Sequence, residues 1–308
     1  MFRYILKRLL WLAFTLLGVI FLTFTIMYFL RGSNLPVLLS PDEPPDGLSR
    51  ALEHVGLYGT YLGDFLYFLL RYVARLQFTG LVSGKLTDIN TLSTRYLYTL
   101  ISCLSAVAVS WIVGLPLGIA AATRSGGFLD NVVSALTVGF GSMPTFWVGL
   151  MLLMLFASKL RIVPMLFVGL PSLILPVVTL SLSNISLVTS AARSSVLETL
   201  DKDFIMAARA KGLRESLVIW RHGVRNSVLP LLSTLGSQLT KALTGALVVE
   251  YVFSIPGIGR LMFDSISNRD FNTVLICILI TAVTSGAINV VTDVLYTFIN
   301  PAVKRRYE

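Results

Sequence analysis

The chain is divided into long apolar runs separated by short polar stretches, and this pattern limits it more than any other feature. A helix rises 1.5 Å per residue, so about twenty apolar residues cross the ~30 Å hydrocarbon core of a bilayer. Runs of that kind lie at about 9–30, 96–122, 132–157, 172–192, 228–249 and 275–299. They are continuous rather than alternating, which sets aside a β-barrel. Composition agrees. Hydrophobic residues make up 55% of the chain and charged residues only 13%, against about 25% charged in soluble domains. The predicted fold class is an all-α polytopic membrane protein with six transmembrane helices.

The formal charge of +9 raises nucleic acid as a partner. The basic residues sit beside apolar spans, however, where membrane topology accounts for them, so the lipid bilayer is the expected partner and no nucleic acid is. Cys103 and Cys277 both lie inside apolar runs and form no metal-binding or disulfide pattern. Residues 1–8 are basic, but the run after them is too long for a cleaved signal and lacks a small-residue cleavage site, so it is read as the first span.

Topology follows from the positive-inside bias. The N-terminus, the polar stretch after the fourth run and the tail with Lys304, Arg305 and Arg306 are all basic, and Arg124 joins them. An even number of spans puts all four on the cytoplasmic side. Residues 57–76 are the one competitor for a seventh span, but Asp64, Arg71 and Arg75 interrupt them, and the unbroken part, 65–70, is far too short. They are read as an amphipathic helix, lying on the surface or packed under a cap. The resulting organisation is 1–94 as the first helix plus an external cap segment, 95–300 as the transmembrane core with a cytoplasmic loop at 193–227, and 301–308 as a cytoplasmic tail.

The loop holds the most informative stretch, DFIMAARAKGLRESLVIWRHGVRNSVLP at 203–230. It reads as a short helix over 204–211, a turn at Gly212, and a second short helix over 215–221. Ala207, Ala208 and Ala210 would let another surface approach the helix backbone, and Gly212 can take the positive φ that ends a helix. Arg209, Lys211, Arg214, Arg221 and Arg225 flank the turn. On the residues alone this is either a docking element or an amphipathic linker touching anionic lipid.

The stretch DFIMAARAKGL, followed by His222 and RNSVLP, resembles the inner-membrane permease subunits of ATP-binding-cassette importers of the dipeptide/oligopeptide/nickel family. RSSVLETL before the loop, VFSIPGIGRLMFDSISNRDF after the fifth run, DVLYTFINPAVKRR at the end and YILKRLLW at the start extend the resemblance over nearly the whole chain. It implies the type I importer permease fold and a bacterial-type cytoplasmic (inner) membrane location, with both termini cytoplasmic. It also implies four partners: a second, homologous permease subunit, two ATPase subunits, and an extracytoplasmic substrate-binding protein. The coupling to the ATPase would be carried by Asp203, Phe204, Ala207, Ala208, Arg209, Ala210, Lys211, Gly212 and Leu213, with Ala208, Ala210 and Gly212 giving close packing. Two stretches depart from the family. Arg31-Gly32-Ser33-Asn34 stands where Pro-Gly-Asp/Ser-Pro is usual, and LQFTGLVSG at 76–84 matches the later Gly-Asp-Leu/Phe-Gly element only loosely.

The chain is expected to be a transport subunit and not an enzyme. GLVSGKL at 80–86 has the wrong glycine spacing for a nucleotide-binding loop and Leu86 where a hydroxyl should bind magnesium. This chain is expected to bind no cofactor, with ATP and Mg held by the partner ATPase subunits. Import of di- or oligopeptides is the leading reading, with nickel or another metal chelate, glutathione and oligosaccharide as alternatives. An ion-coupled secondary transporter is the alternative from another class. It would want acidic groups within spans, whereas Glu250 and Asp293 fall at span ends. Candidate pathway residues are Asn184, in a Ser-rich stripe, Gln238, and Lys241. A cation at membrane depth is costly and faces either a cavity or a partner.

Overall fold

The computed structural model describes residues 2–31, 60–69, 89–268 and 270–299. Among the described residues every regular element is helical. The order begins α1 (Phe2–Arg31), α2 (Tyr61–Phe68), α3 (Ile89–Thr123) and α4 (Phe128–Ser142). Next is α5 (Thr145–Leu152), which runs on as a π-helix over Leu153–Lys159, and then a 3-10 turn at Leu170–Leu173 leads into α6 (Ile174–Leu200). The short α7 (Asp203–Ala210) follows, then α8 (Glu215–Leu217), which continues through π-helical Val218–Val224 into α9 (Arg225–Leu232). The chain closes with α10 (Leu235–Val252), α11 (Ile258–Ser267) and α12 (Phe271–Ile299). The Pro-rich turn at 40–47, the GLVSGKL string and the 301–308 tail lie outside the described residues.

Leu6–Ile26, Thr91–Thr123, Leu170–Leu200 and Thr273–Thr297 are long and apolar enough to cross a membrane, and α4 with α5 adds a fifth if the bent pair counts as one span. Two of the six expected runs are therefore interrupted. The run at 132–157 turns by 99° between α4 and α5. Pro144 disfavours the helical conformation for the residue before it, and Met143 is extended, with φ −77° and ψ 134°. The run at 228–249 divides into α9 and α10 at Ser233 and Thr234. Their hydroxyls donate to the carbonyls of Pro230, at 2.6 Å, and Leu231, at 2.7 Å, which favours a local turn. The 18 residues of α10 include Gln238, Lys241 and Glu250, which interrupt its apolar sequence.

The chain forms two compact units, one of residues 1–8, 95–260 and 285–308 and the other of 9–94 and 261–284. In the smaller unit α2 packs on α1 through aromatic edges. Phe65 meets Phe21 and Phe24 with ring centroids 5.3 Å apart in both pairs, and Tyr61 meets Tyr28 at 5.1 Å. The Tyr61 and Thr25 hydroxyls share a hydrogen bond of 2.5 Å. Asp64 is only 1% exposed, so the described part of the 57–76 segment is packed against its neighbours rather than spread on a surface.

In the larger unit α6 is the element the others gather on, with α4, α5, α9 and α10 all against it. Small side chains permit the close approach that apolar helices need in lipid. Ala106, Ala242 and Ala246 sit in one core cluster with Val107, Leu180 and Phe253. Where α3 meets α6, a Cβ at Gly118 would lie 2.5 Å from the Thr189 carbonyl oxygen and 2.6 Å from the Ala192 Cβ. The Thr189 hydroxyl donates to the Gly114 carbonyl one turn away, at 3.2 Å. Glu250 closes the far end of α10. Its carboxylate accepts the Gly259 N–H at 2.7 Å, and the Ile258 N–H is donated to the Thr99 hydroxyl at 3.0 Å. Any side chain at Gly257 would collide with the Glu250 carboxyl, which accounts for the glycine in the SIPGIG segment. Asp293 pairs with Arg8 at 3.0 Å. Both acids therefore have partners within the fold, near helix ends.

Candidate functional site

The stretch at 203–232 folds as an elbow of two short helical arms. Asp203 lies in the first turn of α7, where a carboxylate complements the helix dipole. The arm ends because Gly212 takes φ +76°, a left-handed conformation that other residues adopt only at a cost. A Cβ at Gly212 would meet nothing within 4 Å, so the glycine serves the turn and not a contact within this chain. The second arm begins at Glu215. The Arg209 guanidinium grips the Glu215 carboxylate across the turn through bonds of 2.6 Å and 3.1 Å, which lowers the pKa of Glu215 and raises that of Arg209.

One face of the elbow is apolar and shut. Ile205, Ala208 and Val218 form a buried cluster against Leu200 at the end of α6. Gly223 lies against the same leucine, with room for a Cβ only 3.0 Å from Leu200 Cδ2. The Ser195 hydroxyl on α6 donates to the Ser227 carbonyl at 2.9 Å. The elbow is thus fixed to α6 at three places. Its other face is open: Asp203, Phe204, Ala207, Arg209, Ala210, Lys211, Gly212 and Leu213 are all exposed. The alanines therefore divide into two roles that their sequence proximity conceals. Ala208 fills the inner cluster, whereas Ala207 and Ala210 present methyl groups outward.

The three candidate pathway residues occupy different surroundings. Asn184 is 2% exposed and donates to the Leu180 carbonyl at 3.2 Å, leaving its own oxygen unpartnered. Gln238 is 3% exposed, accepting from the Trp111 indole on α3 at 2.7 Å and donating to the Thr234 hydroxyl at 2.8 Å. Lys241 is exposed on α10, on the same face as the exposed Ser237 and Thr244. The clefts beside α4 and α6 include Ser186, Thr137 and Thr189 but none of these three residues. Trp111 and the pair Asp130–Arg193 were not among the candidates. An acid three residues after the Gly-Gly pair at 126–127 is the sequence signal that could have found Asp130.

Residues 114–305 match the family described as binding-protein-dependent transport system inner membrane component. The chain belongs to this family. The permease is 33% identical over 307 residues to the glutathione transport system permease protein GsiC of Salmonella choleraesuis, covering 99% of both chains. It is 31% identical over 305 residues to the dipeptide transport system permease protein DppB of Lactococcus lactis subsp. cremoris, covering 99% of this chain and 100% of that one. Among solved structures it is similar to an amino acid ABC transporter crystallised with histidines, at a TM-score of 0.57 and 16% identity over 73% of this chain and 97% of that one. That likeness establishes the fold. The permease is a membrane transport subunit of an ABC importer and not an enzyme, and it works with an ATPase and a substrate-binding protein.

Proposed function

We propose that this permease imports short peptides, glutathione included, and that the 203–213 arm is the lever by which ATPase subunits drive it. The observation that carries the lever is the elbow's two-sidedness: one face is locked to α6, and the other offers small side chains and a turn with open space around it. Two ATPase subunits, which hold ATP and Mg, engage the open faces of this chain and of a second, homologous permease. The elbow and both chain termini lie in the cytoplasm of a bacterial-type inner membrane, and the binding protein delivers from the other side. Closure of the ATPase pair then moves α6 with the elbow, and the spans alternate access to one site.

The peptide assignment draws on relatives named for glutathione and for dipeptides, both of which carry free carboxylates. Lys241 fits this chemistry. It stands on the polar face of α10 with Ser237 and Thr244 and has no ion pair among the described residues. It meets a substrate carboxylate in the pathway, where an unpaired cation is otherwise expensive. The test is purification of the chain in mild detergent with its partners, ATPase assay with added binding protein, and uptake into proteoliposomes. Stimulated hydrolysis with uptake of a dipeptide or glutathione is the expected result. Uptake of a nickel chelate or an oligosaccharide in place of both peptides overturns the substrate assignment. Lys241→Met is expected to raise KM for a peptide but not for its amidated form, and unchanged kinetics removes the lysine from substrate recognition.

A further inference from the structure

The half-buried pair Asp130–Arg193 has a geometry that ordinary helix packing does not require. The Arg193 guanidinium binds the Asp130 carboxylate with both prongs, Nε to Oδ1 at 2.6 Å and Nη2 to Oδ2 at 2.8 Å. The Asp130 side chain is 4% exposed and that of Arg193 is 31% exposed. Asp130 is further held by the Gly126 N–H, which donates to Oδ2 at 2.9 Å, so its carboxylate also fastens the turn between α3 and α4. Gly126 itself has φ +77°, the left-handed conformation that favours glycine. The α3–α4 turn, the start of α4 and the shaft of α6 therefore meet at one carboxylate.

The surroundings show why the pair matters. Elsewhere α6 is joined to its neighbours by backbone-level contact, as at Gly114 and Gly118 on α3. Beside the contact of α4 with α6 an open cleft runs past Ser134, Thr137, Val138, Thr189 and Ser190, with Arg193 in its lining. A second cleft continues past Val133, Leu136, Phe140, Ile185 and Ser186. Helix α4 nonetheless packs on α6, and a Cβ at Gly141 would lie 3.4 Å from the Ser186 Cβ, so the two clefts are gaps beside a close contact. Arg193 lies on the same unbroken helix as Leu200, about 10 Å along its axis, and Leu200 is the residue that receives the coupling elbow.

We infer that Asp130–Arg193 is the latch through which movement of the elbow, carried by α6, is passed to α4 and the α3–α4 turn. Asp130 and Arg193 are positioning residues. They transmit the stroke and touch neither nucleotide nor substrate. A charge-assisted fork suits this task, because it resists lateral slip between two packed helices and fixes the α3–α4 turn to the same carboxylate.

The test uses the complete importer in proteoliposomes, reading ATP hydrolysis with and without binding protein, and peptide taken up per ATP hydrolysed. Asp130→Asn and Arg193→Gln are expected to keep basal hydrolysis while lowering uptake per ATP by about tenfold, within the ordinary span of coupling between sites. Arg193→Lys keeps the charge but loses the fork and should fall between these and the unaltered protein. A purely structural role would lower the amount of complex recovered and leave the ratio unchanged. A ratio equal to that of the unaltered importer in the assembled Asn and Gln variants overturns the latch. If those two do not assemble, Arg193→Lys decides by the same criterion, and failure of all three to assemble makes the pair a folding element and also overturns it. This inference rests on the importer reading but not on the substrate. If the unaltered complex takes up no peptide, the substrate assignment fails and the latch is judged on stimulation of hydrolysis by the binding protein.

Discussion

Replacing Gly118 by alanine tests the close approach of α3 to α6 with one methyl group. The new Cβ would stand 2.5 Å from the Thr189 carbonyl oxygen, 2.6 Å from the Ala192 Cβ and 3.1 Å from the Arg193 nitrogen. Ordinary van der Waals contact begins about 1 Å further out for the first two. Two of the three opposing atoms belong to helix backbone, so no rotamer change relieves the clash and the helices must separate. Overpacking of this kind costs about 1–3 kcal/mol. Gly139→Ala is the matched control, because a Cβ there meets nothing within 4 Å. Both changes gain the same helix propensity, up to about 1 kcal/mol, so the difference between them isolates the clash. At roughly 2 °C per kcal/mol for a chain of this size, Gly118→Ala should melt about 2–6 °C below Gly139→Ala. The assay is thermal unfolding of the purified chain in mild detergent, followed by loss of the monodisperse peak on size exclusion. Equal midpoints, or a higher one for Gly118→Ala, would refute the reasoning and mean that α3 and α6 are not in backbone contact.

Two further outcomes follow from the same geometry. Gly212→Arg should abolish uptake at normal membrane abundance, since it strains the left-handed turn and projects a side chain from the open face of the elbow, and normal uptake by this variant would remove the elbow from coupling. Trp111→Phe leaves the buried Gln238 oxygen without its donor, at a cost of about 1–3 kcal/mol that Gln238→Leu in the same chain should partly restore; additive losses in the double variant would show that the two side chains do not interact.

The membrane class and the elbow were legible in the sequence because both depend on contiguous residues. Apolar length and the scarcity of charge decide that helices such as Thr91–Thr123 and Thr273–Thr297 suit a bilayer, whatever packs beside them. The elbow is equally local. A glycine able to take positive φ stops α7 two residues before it, and Glu215 opens the next arm. The 99° turn at Met143 was not legible in the run at 132–157, because Pro144 permits a bend and the neighbours select its size. Tertiary structure alone decided the rest. Ala207, Ala208 and Ala210 are indistinguishable as letters, and only the position of Leu200 and Val218 makes Ala208 an inner residue and the others outer ones. Gln238 stood out in the sequence as a polar residue in an apolar run, but its partner Trp111 lies on a helix far off in the chain. Asp130 and Arg193 are separated by the whole of α5, and nothing in either neighbourhood names the other. Partners that far apart in the chain are chosen by how helices cross, which depends on every side chain between them and on no short stretch of sequence.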